Sequence, residues 1–248
     1  KLAACVPGKE EFAGLLAWFE HQLSDAGVDL RLGQSATPET LRGFDKVVLA
    51  TGLIPRRLDL LGTQNAPDYA QMLMGRPLGQ RVAVIGAGGI GFDVAKALVT
   101  QGPQNWARDW GLGDPSTRAG GLSDPAPIQS GRQVWLLQRK AEKPGKGLGK
   151  TTGWIHRAHL AAKGVQMWGG VIYQHFDAQG LHILRDGQPQ ILPVDDVVIC
   201  TGQDADVTLA TALTAAQIPH HLIGGAADPR EIDAKRAIDE GTRLGLSL

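Results

Sequence analysis

The sequence predicts an α/β fold on a mainly parallel sheet, and three observations carry that expectation. Apolar, strand-like runs alternate along the chain with segments whose apolar residues recur at three- and four-residue steps. The run Val82-Ala83-Val84-Ile85 leads without a gap into Gly86-Ala87-Gly88-Gly89-Ile90-Gly91 and then into a helical pattern. That is the strand–turn–helix order of a doubly wound, Rossmann-like domain. Two apolar runs end alike, Val47 to Ala50 on Thr51-Gly52 and Val197 to Cys200 on Thr201-Gly202, which suggests two related halves.

Taken in order, Lys9 to Ala26 reads as a helix, because Phe12, Leu15, Leu16, Phe19 and Leu23 share one face and Gly27 ends it. Val28 to Leu32 alternates apolar and polar, so a short strand is expected. Lys46 to Ala50 is a second strand, and Pro55 then breaks the chain. Arg81 to Ile85 is a buried strand, followed by a helix from Phe92 to Thr100 with Val94, Ala95, Leu98 and Val99 on one side. From Gly102 to Gly131 the sequence is loop-like, with Pro103, Pro115, Pro125 and Pro127; a stretch this long is usually functional or disordered. Gln133 to Gln138 restores a strand, the basic turn Arg139 to Lys150 follows, and Thr152 to Lys163 is a helix. Val165 to Trp168 is a short strand. Val171 to Phe176 and Leu181 to Arg185 alternate around Asp177-Ala178-Gln179-Gly180, a hairpin pattern within a small antiparallel β-meander. Asp195 to Cys200 is the last buried strand. A helix from Ala205 to Gln217, a strand from His221 to Ile223 and a helix from Arg230 to Arg243 close the chain.

The 248 residues carry 25 basic and 25 acidic side chains, so no net field draws the chain to nucleic acid. Two cysteines, Cys5 and Cys200, are too few for a metal cluster or a disulfide scaffold. Cys200 inside an apolar run reads as a buried thiol, which fits a reducing, cytoplasmic setting. No apolar run reaches the ~18 residues of a membrane helix, and no signal peptide is recognised, so no membrane partner is expected. The opening residues read as mid-domain sequence, so a piece of a longer polypeptide is expected.

The chemistry concentrates at the glycine turn. Gly86 permits a tight turn, Gly88 lets backbone N–H groups approach a pyrophosphate, and Gly91 lets the helix pack on the strand. A helix N-terminus adds free donors and partial positive charge. A glycine-rich turn without a ligand is the alternative. A site for NAD carries Asp or Glu at the end of the second strand, ~20 residues on. If 102–131 is an insertion, that strand is Gln133 to Gln138, and it ends in Arg139-Lys140. This pair suits an anionic 2′-phosphate and favours NADPH over NADH, with Glu142 nearby as a minor counterweight. Lys143, Lys146 and Lys150 fit either a phosphate contact or a solvated basic loop. Thr201-Gly202 and Thr51-Gly52 place small residues where a strand leaves the sheet near a bound cofactor, and Gly202 also reads as an ordinary turn glycine. His156 and His159 lack a carboxylate or Cys at ligand spacing and read as surface or packing histidines, as do His220 and His221. No metal site and no catalytic acid, base or nucleophile is assigned.

Several runs together resemble bacterial NADPH-dependent 2,4-dienoyl-CoA reductases. They are Pro7 to Phe12, Val84 to Asp93, Leu136 to Lys140, Gly147-Leu148-Gly149-Lys150-Thr151-Thr152-Gly153-Trp154-Ile155-His156-Arg157, Val197 to Gly202, Ile223-Gly224-Gly225 and Glu231 to Ile238. The resemblance implies a flavoprotein in three parts. An N-terminal barrel holds FMN, the active site and the cysteines of a 4Fe-4S cluster, and FAD and NADPH modules follow it. This chain resembles the last two, without the first FAD fingerprint.

The resemblance further implies that Gly86, Ala87, Gly88, Gly89, Ile90 and Gly91 bind the NADPH pyrophosphate and that Arg139 and Lys140 bind the 2′-phosphate. Ala50, Thr51 and Gly52, with Gly224, Gly225 and Ala226, would border FAD. Many two-dinucleotide reductases place Asp directly after the glycine of this late turn, whereas Ala226 and Ala227 precede Asp228 here.

The expected architecture is a Rossmann-like NADPH domain, 76–205, inserted in a partial FAD-binding domain, 1–75 and 206–248. The expected role is hydride entry from NADPH to FAD in reduction of unsaturated acyl-CoA, with FMN and the iron–sulfur cluster in the N-terminal barrel. Two alternatives stay open: the same module of another enoate reductase or amine dehydrogenase, and a non-catalytic module holding ADP.

Overall fold

Apolar periodicity sets the elements in a computed structural model of the chain, which describes every residue except 101, 103–105, 125–129 and 231. Helix α1 (Phe12–Asp25) carries its apolar stripe at the expected steps, and Gly27 follows at φ +68°. The run 28–32 is irregular chain and not a strand. Among the described residues no strand pairs with it, and alternation without a partner has no ladder to bond.

Helix α2 (Pro38–Leu41) is fixed by reciprocal capping between Thr37 and Thr40. Strands β1 (Val48–Leu49) and β2 (Leu53–Pro55) follow, then α3 (Tyr69–Leu73), capped by Asp68 and Gln71 in the same reciprocal way. Strand β3 (Arg81–Ile85) enters α4 (Gly89–Val99), which begins at the glycines and earlier than Phe92. The expected loop 102–131 holds a short helix, α5 (Trp106–Asp109), and a bridge between Leu112 and Leu122. Pro103, Pro125 and Pro127 lie outside the described residues. Then come β4 (Gln133–Leu137), α6 (Gly153–Ala162), β5 (Gln166–Trp168), β6 (Ile172–Asp177), β7 (Gly180–Arg185), β8 (Gln188–Leu192) and β9 (Asp196–Ile199). The chain ends with β10 (Gln203–Ala205), α7 (Thr208–Ala215), β11 (His221–Leu222) and α8 (Ala234–Ser247). Helix α8 starts at Ala234, later than Arg230, because the Asp233 side chain caps it there by accepting from the Arg236 N–H at 2.8 Å. Glu231 lies outside the described residues.

One compact unit comprises residues 1–22 and 57–201. Its sheet runs β5-β4-β3-β9, all parallel, with Ala83 opposite both Trp135 and Val197. The two-residue strand period divides the core. Val82 and Val84 pack with Phe92, Val94, Ala95 and Leu98 of α4 and Leu160 of α6. Ala83 and Ile85 pack the other way, with Trp135, Val197 and Leu181, Ile183 and Leu192 of the meander β6-β7-β8. Burial on both faces explains why β3 and β4 read as unbroken apolar runs. Strand β8 escapes the alternation pattern because its first four residues are exposed, and Pro189 suits an edge strand.

The second unit comprises residues 23–56 and 202–248. Here β1 pairs with β11 in parallel and β2 with β10 antiparallel, and Val47, Leu49, Ala210 and Leu213 form the core. Tyr69 packs in the same cluster as Val82 and Val84, which ties 57–75 to the four-stranded sheet. Pairing with β2 ties 203–205 to the second unit.

Candidate functional site

The turn between β3 and α4 uses its glycines for two different purposes. Gly86 sits at φ +114°, and its N–H donates to the Leu137 carbonyl at 2.8 Å. A β-carbon there would run into the Cys200 carbonyl, and one at Gly91 would run into the Gly86 carbonyl oxygen. Those two positions are glycine for packing. At Gly88 and Gly89 a β-carbon would meet nothing within 4 Å, so these two border open space. Gly88 is the N-cap of α4, and the N–H groups of Gly89, Ile90 and Gly91 occupy the first turn, where a helix offers no acceptor of its own. Free N–H donors at a helix N-terminus are groups that can bond a negatively charged ligand.

Gly86, Ala87 and Gly88 line a cleft of about 310 Å³ together with Arg139, Lys140, Thr201 and Tyr173. The parallel register explains the meeting. β4 lies beside β3 and β9 on its other side, so all three strand ends open at one edge of the sheet. Arg139 and Lys140 are exposed, and among the described residues neither makes an ion pair. Lys146 also lines the cleft but bonds Glu142 at 2.8 Å, which holds that carboxyl below its ordinary range. Lys143 lies along a separate groove with Trp154.

Two polar atoms on the cleft wall, the Tyr173 hydroxyl and Thr201 Oγ1, are buried, and among the described residues neither has a hydrogen-bond partner. Burial pushes the Tyr173 hydroxyl well above the ordinary tyrosine range, so it stays a neutral donor. The Cys200 thiol is pushed up by burial too and is inert as a nucleophile. Open glycines, unpaired cations and orphaned hydroxyls together fit a phosphate-bearing nucleotide. Tyr173 escapes sequence reading because it looks like any apolar position of an alternating strand. Lys146 was legible in principle, since Glu142 and Lys146 stand at i,i+4.

The second unit gathers the remaining candidates. Gly52 sits at φ +77°, and Gly225 lies so close that a β-carbon on it would be 3.4 Å from the Gly52 carbonyl carbon and 2.7 Å from Leu53 Cγ. Thr51 Oγ1 donates to the Asp206 carbonyl at 2.6 Å. Gly202, at φ +110°, accepts from the Arg56 N–H at 3.0 Å. Gly224, Gly225 and Ala226 form a buried 3-10 turn, and the Gly224 N–H donates to Glu240 Oε2 at 2.5 Å. Ala50 is exposed at the end of β1. Asp228, displaced by the two alanines, is held by the Arg230 guanidinium, which keeps its carboxyl far below the usual range. His159 lines a small cavity with His156, Phe92 and Trp110, and burial pulls it down to about 4.

Residues 27–227 match the family described as pyridine nucleotide-disulphide oxidoreductase. A metal reductase of Desulforamulus reducens is 25% identical over 248 residues, covering 93% of this chain and 36% of that protein. A cinnamate reductase of Clostridium sporogenes is 36% identical over 107 residues, covering 40% of this chain and 16% of that protein. A solved structure of a 2-naphthoyl-CoA reductase with 2-naphthoyl-CoA shares the fold, with a TM-score of 0.81 at 22% identity over 100% of this chain and 34% of that one. The chain thus spans about a third of the length of the first relatives it matches. No helix among the described residues is long and apolar enough to cross a membrane.

Proposed function

The chain belongs to the pyridine nucleotide-disulphide oxidoreductase family, whose members bind FAD and a pyridine nucleotide, and from that premise we propose that it is the electron-entry part of a longer flavoenzyme. The pyridine nucleotide is NADPH, which supplies hydride to FAD. Gly86 to Gly91 hold its pyrophosphate on the first turn of α4, and Arg139 with Lys140 hold the 2′-phosphate. Tyr173 and Thr201 lend their unpaired hydroxyls to the bound nucleotide. Ala50, Thr51, Gly52, Gly202 and the turn Gly224 to Ala226 border the flavin. The observation that carries this reading is the cleft in which the open Gly88 meets Arg139 and Lys140.

The longer enzyme acts as a 2,4-dienoyl-CoA reductase, with FMN and a 4Fe-4S cluster in an N-terminal barrel. The run Gly147 to Arg157 supports this choice, and the fraction of each relative that this chain leaves uncovered supports only a longer polypeptide. A second reading keeps the same electron-entry role but another acceptor, and the metal and cinnamate reductases among the relatives favour it.

Calorimetric titration with NADPH, NADH and ADP in one buffer tests the entry role. NADPH should bind at least about tenfold more tightly than NADH, a gap of ~1.4 kcal/mol. ADP binding as well as NADPH would make the chain a structural nucleotide carrier instead.

A further inference from the structure

The hairpin β6–β7 carries a group of side chains that the nucleotide cleft does not use. His175 and His182 are cross-strand partners, their rings stacked with centroids 3.8 Å apart and planes 18° from parallel. Both turn Nε2 toward one carboxylate. His182 Nε2 lies 3.0 Å from Asp177 Oδ1, and His175 Nε2 lies 3.4 Å from Asp177 Oδ2.

The convergence has a backbone cause. The pairing shifts register between Tyr173 and His175, leaving Gln174 as an extra residue. Tyr173 pairs with the buried Ile183, and Phe176 pairs with the buried Leu181. Without the bulge, His175 would share a face with Tyr173, two residues away. With it, His175 is re-aimed to the outer face opposite His182, and Asp177 follows on that face.

From this geometry we propose that His175, Asp177 and His182 form a binding site for a divalent transition cation of the zinc type. Two imidazole nitrogens and one carboxylate oxygen are donors for borderline cations such as zinc, cobalt or nickel, not for calcium or magnesium, which take all-oxygen sets. With bonds of about 2.0–2.2 Å, neighbouring donors around a tetrahedral ion stand about 3.3–3.5 Å apart. The two His–Asp separations of 3.0 and 3.4 Å are close to that spacing, and the stacked imidazoles would splay apart to aim both Nε2 lone pairs at one ion. All three donor atoms lie within 4.8 Å of one another. Asp177 is exposed and both histidines are half-buried, so an ion can enter from solvent and keep water as its fourth ligand. The cation would pin the tip of the hairpin and fix the bulge; the site is independent of the nucleotide reading.

Titration of the apo chain with cobalt(II), followed by its visible absorption, tests the site. Saturation at one equivalent is expected, with ligand-field bands that zinc displaces. The decisive variant is Asp177→Asn, because the residue is exposed and asparagine keeps the acceptor for the Gln179 N–H at 2.8 Å. His182→Gln is the second. Losing even an outer-shell partner costs about 10–100-fold in metal affinity, so each variant should weaken binding at least tenfold. Circular dichroism should be unchanged in Asp177→Asn. No saturable cobalt binding, or wild-type affinity in Asp177→Asn, overturns the proposal.

Discussion

Gly91 faces the carbonyl oxygen of Gly86 with no room for a β-carbon between them, and this contact seats α4 against the end of β3. Gly88, three residues earlier, is the opposite case, with open space at its β-position and φ −84°. Gly91→Ala should therefore cost stability, about 1–3 kcal/mol through overpacking. Gly88→Ala should leave the melting temperature almost unmoved while weakening NADPH. Thermal melts and NADPH titration of the two variants separate these effects, and equal melting behaviour would refute the division of labour.

Arg139→Glu should weaken NADPH by about 1.5–3 kcal/mol more than NADH, because only NADPH has the phosphate that a charge-assisted bond rewards. Parallel titrations decide it. Equal losses would mean that Arg139 does not contact the 2′-phosphate.

Tyr173→Phe should stabilise the free chain, since it removes a buried hydroxyl that no group among the described residues satisfies. The gain should be about 1 kcal/mol. The same change should weaken NADPH by about 0.5–1.5 kcal/mol. A raised melting temperature with unaltered NADPH affinity would show that the hydroxyl serves no ligand.

Stability should fall on acidification earlier than the carboxylates alone dictate. Burial, first, and then Lys163 and Lys96 lower His159 from 6.5 to about 4, with Asp109 opposing and His156 adding slightly. The unfolded chain then binds a proton that the folded chain refuses, so stability is full above 6.5 and declines as pH drops toward 4. Urea melts at intervals across this window should show the slope, and His159→Gln should flatten it. An unchanged slope in that variant would assign the loss elsewhere.

The parallel sheet was legible because burial on two faces leaves unbroken runs such as Val82 to Ile85, and the glycine turn because its spacing is a steric requirement. Arg139 and Lys140 could be placed only by treating 102–131 as an insertion, and the structure brings both to the glycine cleft. What escaped depends on pairing. The run 28–32 alternates but finds no strand partner among the described residues, and β8 pairs while exposing most of its side chains. Tyr173, His175 and His182 gain their surroundings from a bulge, and no periodicity announces one extra residue.

That extra residue, Gln174, also separates the inheritance of the two ends of β6. A strand ordinarily transmits every inserted or deleted residue as an inversion of all that follows. Here the irregularity absorbs the odd count, so the tip bearing His175 and Asp177 can drift, be grafted or be rewritten while Tyr173 keeps its orientation toward the core and cleft. One strand thus serves the hairpin tip and the cleft wall with two separately set facings.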